Sequence, residues 1–125
     1  MANPIGATTW AIAEGYIPGG STGTTEALTS HETVCILNAG ARDTEVRITV
    51  YFADRDPVGP FRFAVKARRT RHIKFNDLKD PASIPRDTDF ASIIEADQPI
   101  VVQHTRLDSR QPALALMSTI AFPAG

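Results

Sequence analysis

The strict alternation of Val46, Ile48, Val50 and Phe52 with Glu45, Arg47, Thr49 and Tyr51 constrains this chain more than any other feature. Side chains on an extended strand point alternately to opposite faces, so this segment must be a strand with one apolar and one wet face. The period recurs. Phe61, Phe63 and Val65 alternate with Arg62, Ala64 and Lys66, and Leu114, Leu116, Ser118, Ile120 and Phe122 repeat the pattern near the end. Thr33 to Leu37 and Pro99 to Val102 are short runs rich in Val and Ile, as expected of strands buried on both faces. Helical periodicity is weak throughout. Ala91 to Ala96 would suit a helical turn, but β-branched Ile93 and Ile94 and the turn signal Asp97-Gln98-Pro99 favour a strand.

Turn residues punctuate these runs. Asn38-Ala39-Gly40 tolerates a tight reversal and predicts a hairpin over residues 31–52. Asp54 to Pro60 predicts a second turn. Pro18 to Ser30 is rich in Gly, Thr and Ser and reads as a long mobile loop, and Asn76 to Asp89 as a structured connection. The sum is about seven or eight short strands and no sustained helix, which predicts an all-β fold: an antiparallel β-sandwich, jelly-roll-like. With 125 residues and no dividing linker, the expected organisation is a single domain over 1–125.

Composition narrows the function. Charged residues make up 22% of the chain and the formal net charge is -1, which suits a globular protein rather than a dedicated polyanion binder. Basic residues are nevertheless uneven: none precedes Arg42, while Arg62, Lys66, Arg68, Arg69, Arg71 and Lys74 form a stripe without an acidic neighbour. A nucleic-acid surface is one reading of that stripe. Outward-facing charges that discourage edge pairing are the other, and the balanced net charge favours it. The single cysteine, Cys35, rules out an intramolecular disulfide, and its apolar run marks it as a small hydrophobe. The Met1-Ala2-Asn3-Pro4 start lacks a basic segment followed by an apolar one, and no apolar run approaches the ~20 residues needed to span a bilayer. The expected compartment is the cytoplasm.

Catalytic and metal-binding patterns are missing. His31, His72 and His104 would suffice for an open zinc site, but no pair has the close spacing of such sites, and local hydrogen bonding explains each better. No Gly-x-Ser-x-Gly elbow or phosphate-binding loop is present; Gly19, Gly20 and Gly23 sit in the Thr-rich loop without the Lys that a phosphate cradle needs. The expectation is no enzyme, no metal and no cofactor. Two places suggest binding instead. Trp10, Glu14 and Tyr16 would suit a sugar, whose face stacks on a ring while a carboxylate takes its hydroxyls, although a lone Trp is more often core. The strand that opens as Ile100-Val101-Val102 turns into the dense polar run Gln103, His104, Arg106, Asp108 and Arg110. Residues so close along a strand would find partners elsewhere, with Glu14, Glu32, Asp77 and Asp89 as candidates. His104 and Arg106 share a face, so one carboxylate would hold both. The candidate binding or interface residues are therefore Trp10, Glu14, Tyr16, His31, Glu32, His72, Gln103, His104, Arg106, Asp108 and Arg110.

The segments WAIAEGYIP (10–18), SHETVCILNAG (30–40), PVGPFR (57–62), FNDLKDP (75–81), IPRDTDFAS (84–92) and PIVVQHTRLDSRQ (99–111) together resemble the sensory rhodopsin transducer family. This is the soluble transducer of a cyanobacterial sensory rhodopsin and its bacterial relatives. The resemblance runs over nearly the whole chain and is weakest in the loop 18–29 and after Gln111. It implies a β-sandwich protomer, a cytoplasmic homotetramer, and signalling by contact with the cytoplasmic face of a membrane photoreceptor. The family fold also resembles carbohydrate-binding modules, which leaves a sugar-like ligand as the alternative, with nucleic acid third.

Overall fold

The computed structural model describes residues 4–22 and 25–124. The period-two segments form β3 (Thr44–Phe52), β4 (Val58–Val65) and β7 (Ala115–Ile120), and the Val- and Ile-rich runs fall in β2 (His31–Asn38) and β6 (Phe90–Asp108), which runs straight through the expected turn at Asp97-Gln98-Pro99; β1 (Ala7–Gly15), β5 (Arg69–Lys74) and β8 (Phe122–Pro123) complete the set. Two single 3-10 turns, Glu26–Leu28 and Phe75–Asp77, interrupt the loops. All strand pairs are antiparallel, in two sheets: β4-β3-β6-β1-β8 and β5-β2-β6-β7. The fold is an antiparallel β-sandwich.

β6 belongs to both sheets. Its first half lies between β3 and β1, and its second half, from Val101 to Asp108, between β2 and β7. The change of sheet falls near Asp97-Gln98-Pro99. Proline has no N–H to give a ladder, so it sits where pairing is handed over. There the Asp97 and Gln98 amides donate instead to Thr44 Oγ1, at 3.0 and 3.1 Å.

The inward faces supply one core. Val34, Val46, Ile48, Val50, Ile94, Ile100 and Val102 are all fully buried, and the rings of Phe75 and Phe90 pack with centroids 5.0 Å apart. Burying each such aliphatic side chain contributes roughly 1.5–3 kcal/mol. Trp10 joins this core, and its Nε1 donates to the carbonyls of Ala7 and Ile100.

Three expectations change. The hairpin over 31–52 does not form: β2 and β3 lie in different sheets, and each pairs with β6 rather than with the other. Asn38 explains the arch. Buried, it donates to the carbonyls of Arg42 and Val65 and accepts from the Gly40 amide, so the reversal turns across the sandwich instead of within a sheet. The loop 18–30 is tethered rather than free. Thr22 and Ser30 bond to Ser109 and Gly20, and Gly19 bonds to Asp87; Gly23 lies outside the described residues. Finally, the alternation of Leu114 to Phe122 does not bury a face: every residue of β7 is exposed.

Candidate functional site: a charged cleft between sheet edges

The inward positions of β2 read Glu32, Val34, Ile36, and those of β6 read Ile100, Val102, His104, Arg106. Both lines are apolar at one end and polar at the other. Their antiparallel register sets Glu32 opposite Arg106 and Val34 opposite His104, so the polar ends meet inside one end of the sandwich. Glu32 is fully buried. Its Oε1 accepts from His104 Nε2 at 3.0 Å and from Arg106 Nε at 2.9 Å, and its Oε2 accepts from the Tyr16 amide at 2.8 Å. One carboxylate thus ties together β1, β2 and β6.

Arg106 reaches further. Its Nη2 donates to both oxygens of Glu14, whose side chain is mostly exposed at the end of β1. Burial works against the guanidinium's charge, but the bonds to Glu14 and Glu32 outweigh it and hold the proton more firmly than usual. Gly15, next to Glu14, lets the Phe90 ring approach the backbone, since a Cβ there would strike it.

Above this floor lies a cleft of about 500 Å³. His104, Arg106 and Glu14 form its polar side, and Ile12, Met117 and Phe122 are among its apolar walls. It opens where β7, the edge of one sheet, and β8, the edge of the other beyond β1, leave the sandwich unsealed. Arg106 Nη1 has no partner among the described residues. The cleft therefore combines a free guanidinium donor, an exposed carboxylate acceptor and an apolar wall, the mixture that orients a small polar ligand. Glu14, Glu32 and His104 also place one ligand atom each within 4.8 Å of the others. The guanidinium of Arg106 shares that space and already takes both carboxylates, so the donor set suits an ion pair network better than a divalent cation.

The other candidates go elsewhere. Trp10 is core and offers no stacking face. Tyr16 hydroxyl donates to Asp87 at 2.9 Å, and that bond to a carboxylate raises the phenol's pKa. Arg110 lies over the Tyr16 ring at 5.8 Å and is paired with Asp108 at 2.6 Å. The bond from Arg110 holds the Asp108 carboxyl below the usual aspartate range. The expected single constellation of residues 103–110 is therefore split. Gln103 is exposed, His104 and Arg106 point inward, and Asp108 with Arg110 forms its own cluster. Pairing between residues so close in sequence arises because the strand ends at Asp108 and the chain bends. Of the four acidic candidates, Glu14 and Glu32 engage this segment; among the described residues no bond joins it to Asp77 or Asp89. His31, whose Nδ1 bonds to the Thr29 carbonyl at 2.7 Å, and His72 line one outer-face cleft with Cys35 and Asp77, whereas His104 is buried in the sandwich, so the three do not share a site.

The basic stripe is divided between sheets. Arg62, on β4, pairs with Glu45 at 2.7 Å. Arg68 occupies the turn, with φ 57°, which is why it and Arg69 do not alternate as on a strand. On β5, Arg71 covers the Phe63 ring and Lys74 approaches Glu26 at 3.8 Å.

Sequence reasoning missed Met117, Ile120 and Phe122. The signal was available: no residue from Gln111 to Ala124 is charged.

The comparisons agree with this architecture. The family model described as Anabaena sensory rhodopsin transducer matches residues 5–123. A solved structure named Anabaena sensory rhodopsin transducer is 62% identical, with TM-score 0.75, over 83% of this chain and all of that one. The structure titled Thermotoga maritima 1070 is 32% identical, with TM-score 0.85, over 96% of this chain and 97% of that one. A comparison with curated proteins found no match. Sequence match and shared fold together place this chain in the Anabaena sensory rhodopsin transducer family.

Proposed function

We propose that this chain is a non-catalytic, single-domain cytoplasmic transducer, assembled as a homotetramer, that binds the cytoplasmic face of a membrane photoreceptor and relays its state. The observation that carries this reading is the family match over residues 5–123. No helix among the described residues is long and apolar enough to cross a membrane, so contact with a receptor would be peripheral. A relay requires that the receptor's two states bind the transducer with different free energies. A coupling of about 1–3 kcal/mol, or roughly 5- to 150-fold in affinity, would be typical, and several protomers would add avidity. The test is titration of the protein onto the photoreceptor in lipid nanodiscs, in darkness and under illumination. A light-dependent Kd supports the reading; equal Kd values in both states overturn it.

A second reading is favoured by the cleft. Two carboxylates to one guanidinium suit a neutral polyhydroxyl ligand better than an anion, with Glu14 accepting hydroxyls, Arg106 Nη1 donating, and the apolar wall against the carbon face. Calorimetric titration with simple sugars tests it. Saturable binding that Glu14→Ala abolishes supports the cleft as the site.

A further inference from the structure

We infer that the outer face of the second sheet carries a binding site for a small acid, a ligand whose phosphate or carboxylate group is held between Lys74 and the hydroxyl of Thr33. The site is separate from the Arg106 cleft, which lies on the inward side of the same strands. It stands or falls independently of the receptor and sugar readings.

The alternation of β2 builds it. Glu32, Val34 and Ile36 point inward, so His31, Thr33 and Cys35 face out. Opposed residues of an antiparallel pair share a face, with Cβ atoms about 4.5–5.5 Å apart. The register therefore sets Lys74 and Thr105 on either side of Thr33, and His72 beside Cys35. Together with Asp77, from the 3-10 turn that follows β5, these residues line a cleft of about 470 Å³. A second hollow of about 310 Å³ adjoins it, shares His31, Lys74 and Asp77, and adds Arg86.

Unused polar groups distinguish this cleft from an ordinary wet surface. Thr33 is only 8% exposed, yet its hydroxyl has no partner among the described residues. It is not sealed in. Among the described residues the one enclosed side-chain polar atom without a partner is Ser92 Oγ, so Thr33 Oγ1 opens to the cleft that its residue lines. A hydroxyl so nearly buried is costly unless something outside its own chain supplies the bond. The Lys74 ammonium has one carboxylate near it among the described residues, the largely exposed Glu26 at 3.8 Å. His31 Nδ1 sits against the Thr29 carbonyl, which can only accept, so that nitrogen carries a proton and Nε2 is left without a partner.

The occupant follows from the donors. An ammonium, an unpartnered hydroxyl and two imidazoles face the single carboxylate of Asp77, a composition that takes an oxyanion. A metal ion fits less well. No three of His31, Cys35, His72 and Asp77 bring ligand atoms within 4.8 Å of one another, a spacing that Glu14, Glu32 and His104 do reach. The donors are spread along the length of a small molecule instead of converging on a point. Asp77 then accepts from a hydroxyl or amino group of the same ligand.

The test is a titration at fixed neutral pH, followed by the imidazole proton resonances of His31 and His72. The probes are inorganic phosphate, lactate and sodium chloride at matched ionic strength. Both ring signals should move saturably with phosphate, with lactate or with both, and chloride should not reproduce the shift. A response to phosphate alone assigns a phosphate-bearing ligand, and a response to lactate alone a carboxylate-bearing one. Losing one hydrogen bond to a charged group weakens binding about tenfold or more, which is the loss expected for Thr33→Val and for Lys74→Gln. Arg62→Gln, which removes an exposed cation from the other sheet, should change nothing. Thr33→Val keeps the side-chain shape, and if it nevertheless unfolds, Lys74→Gln at the surface carries the test. Signals that move no further than in chloride overturn the inference. So do saturable shifts that persist at wild-type strength in either folded variant, or an equal loss in Arg62→Gln.

Discussion

β2 and β7 flank the same half of β6, pair with it in the same antiparallel sense, and end in opposite environments. β2 has β5 on its far side and the first sheet over its inner face, so Val34 and Ile36 are buried and even the charged Glu32 is fully enclosed. β7 has no strand on its far side among the described residues, and its leucine, methionine and isoleucine face solvent. A buried charge and an exposed apolar strip on two neighbours of one strand show that polarity does not assign burial by itself. Position in the sheet does. Glu32 is tolerated because three donors converge on it, and the exposed strip is consistent with a surface that a partner covers.

The largest effect is expected at Glu32. Glu32→Ala leaves His104, Arg106 and the Tyr16 amide without their acceptor, and the expected loss is about 3–5 kcal/mol of stability. Thermal and chemical unfolding will read it. A loss under 1 kcal/mol would mean that water replaces the carboxylate and that the cluster does not tie the three strands.

The next effect contrasts the two strands directly. Ile36→Ala on β2 empties core volume and should cost about 2–5 kcal/mol. Leu116→Ala on β7 should change monomer stability by no more than about 0.5 kcal/mol, because its side chain leaves little apolar contact behind. Equal costs for the two, measured at a concentration where the protein is monomeric, would show that β7 packs against its own protomer after all.

The smallest effect concerns the second polar cluster. Asp108 has a depressed pKa in the folded state because Arg110 bonds to its carboxylate. Such a group contributes stability above its unfolded pKa, and that contribution is lost as pH falls through the folded value. Arg110→Ala should therefore lower stability slightly at neutral pH and leave it unchanged once Asp108 is protonated, so the acid limb of the melting-temperature profile flattens below the ordinary aspartate range. Because the pair is at the surface, added salt should shrink the difference. An acid limb identical to wild type at low salt would show that the pair contributes nothing.

Much of the fold is legible in the residues. Val46, Ile48 and Val50 alternate with charged and polar neighbours, and all three are fully buried. The cluster is legible only in part. His104 and Arg106 lie two apart on a strand, so a shared carboxylate follows from the pleat alone. Which carboxylate it is does not follow, because Glu32 lies 72 residues from His104 and reaches it only through the β2–β6 register. Trp10 beside Glu14 offers the ring and carboxylate of a sugar site, but a lone Trp is more often core, and its indole does face the core.

The residues from Thr44 to Val65 determined their own strands and their own turn, because a period of two and a tight reversal are local properties of the backbone. The arch at Asn38 shows the limit. A turn signal says that the chain reverses, not whether the reversal stays in one sheet or crosses to the other. That choice was made by β6, whose two halves recruit β3 and β2 into different sheets, and by the buried Asn38 amide that fits only the crossing. The cleft is decided at the same level. Its floor comes from β1, β2 and β6 and its wall from β7 and β8, and no window of sequence contains them, since side chains distant along the chain meet only when the sheets close over one core.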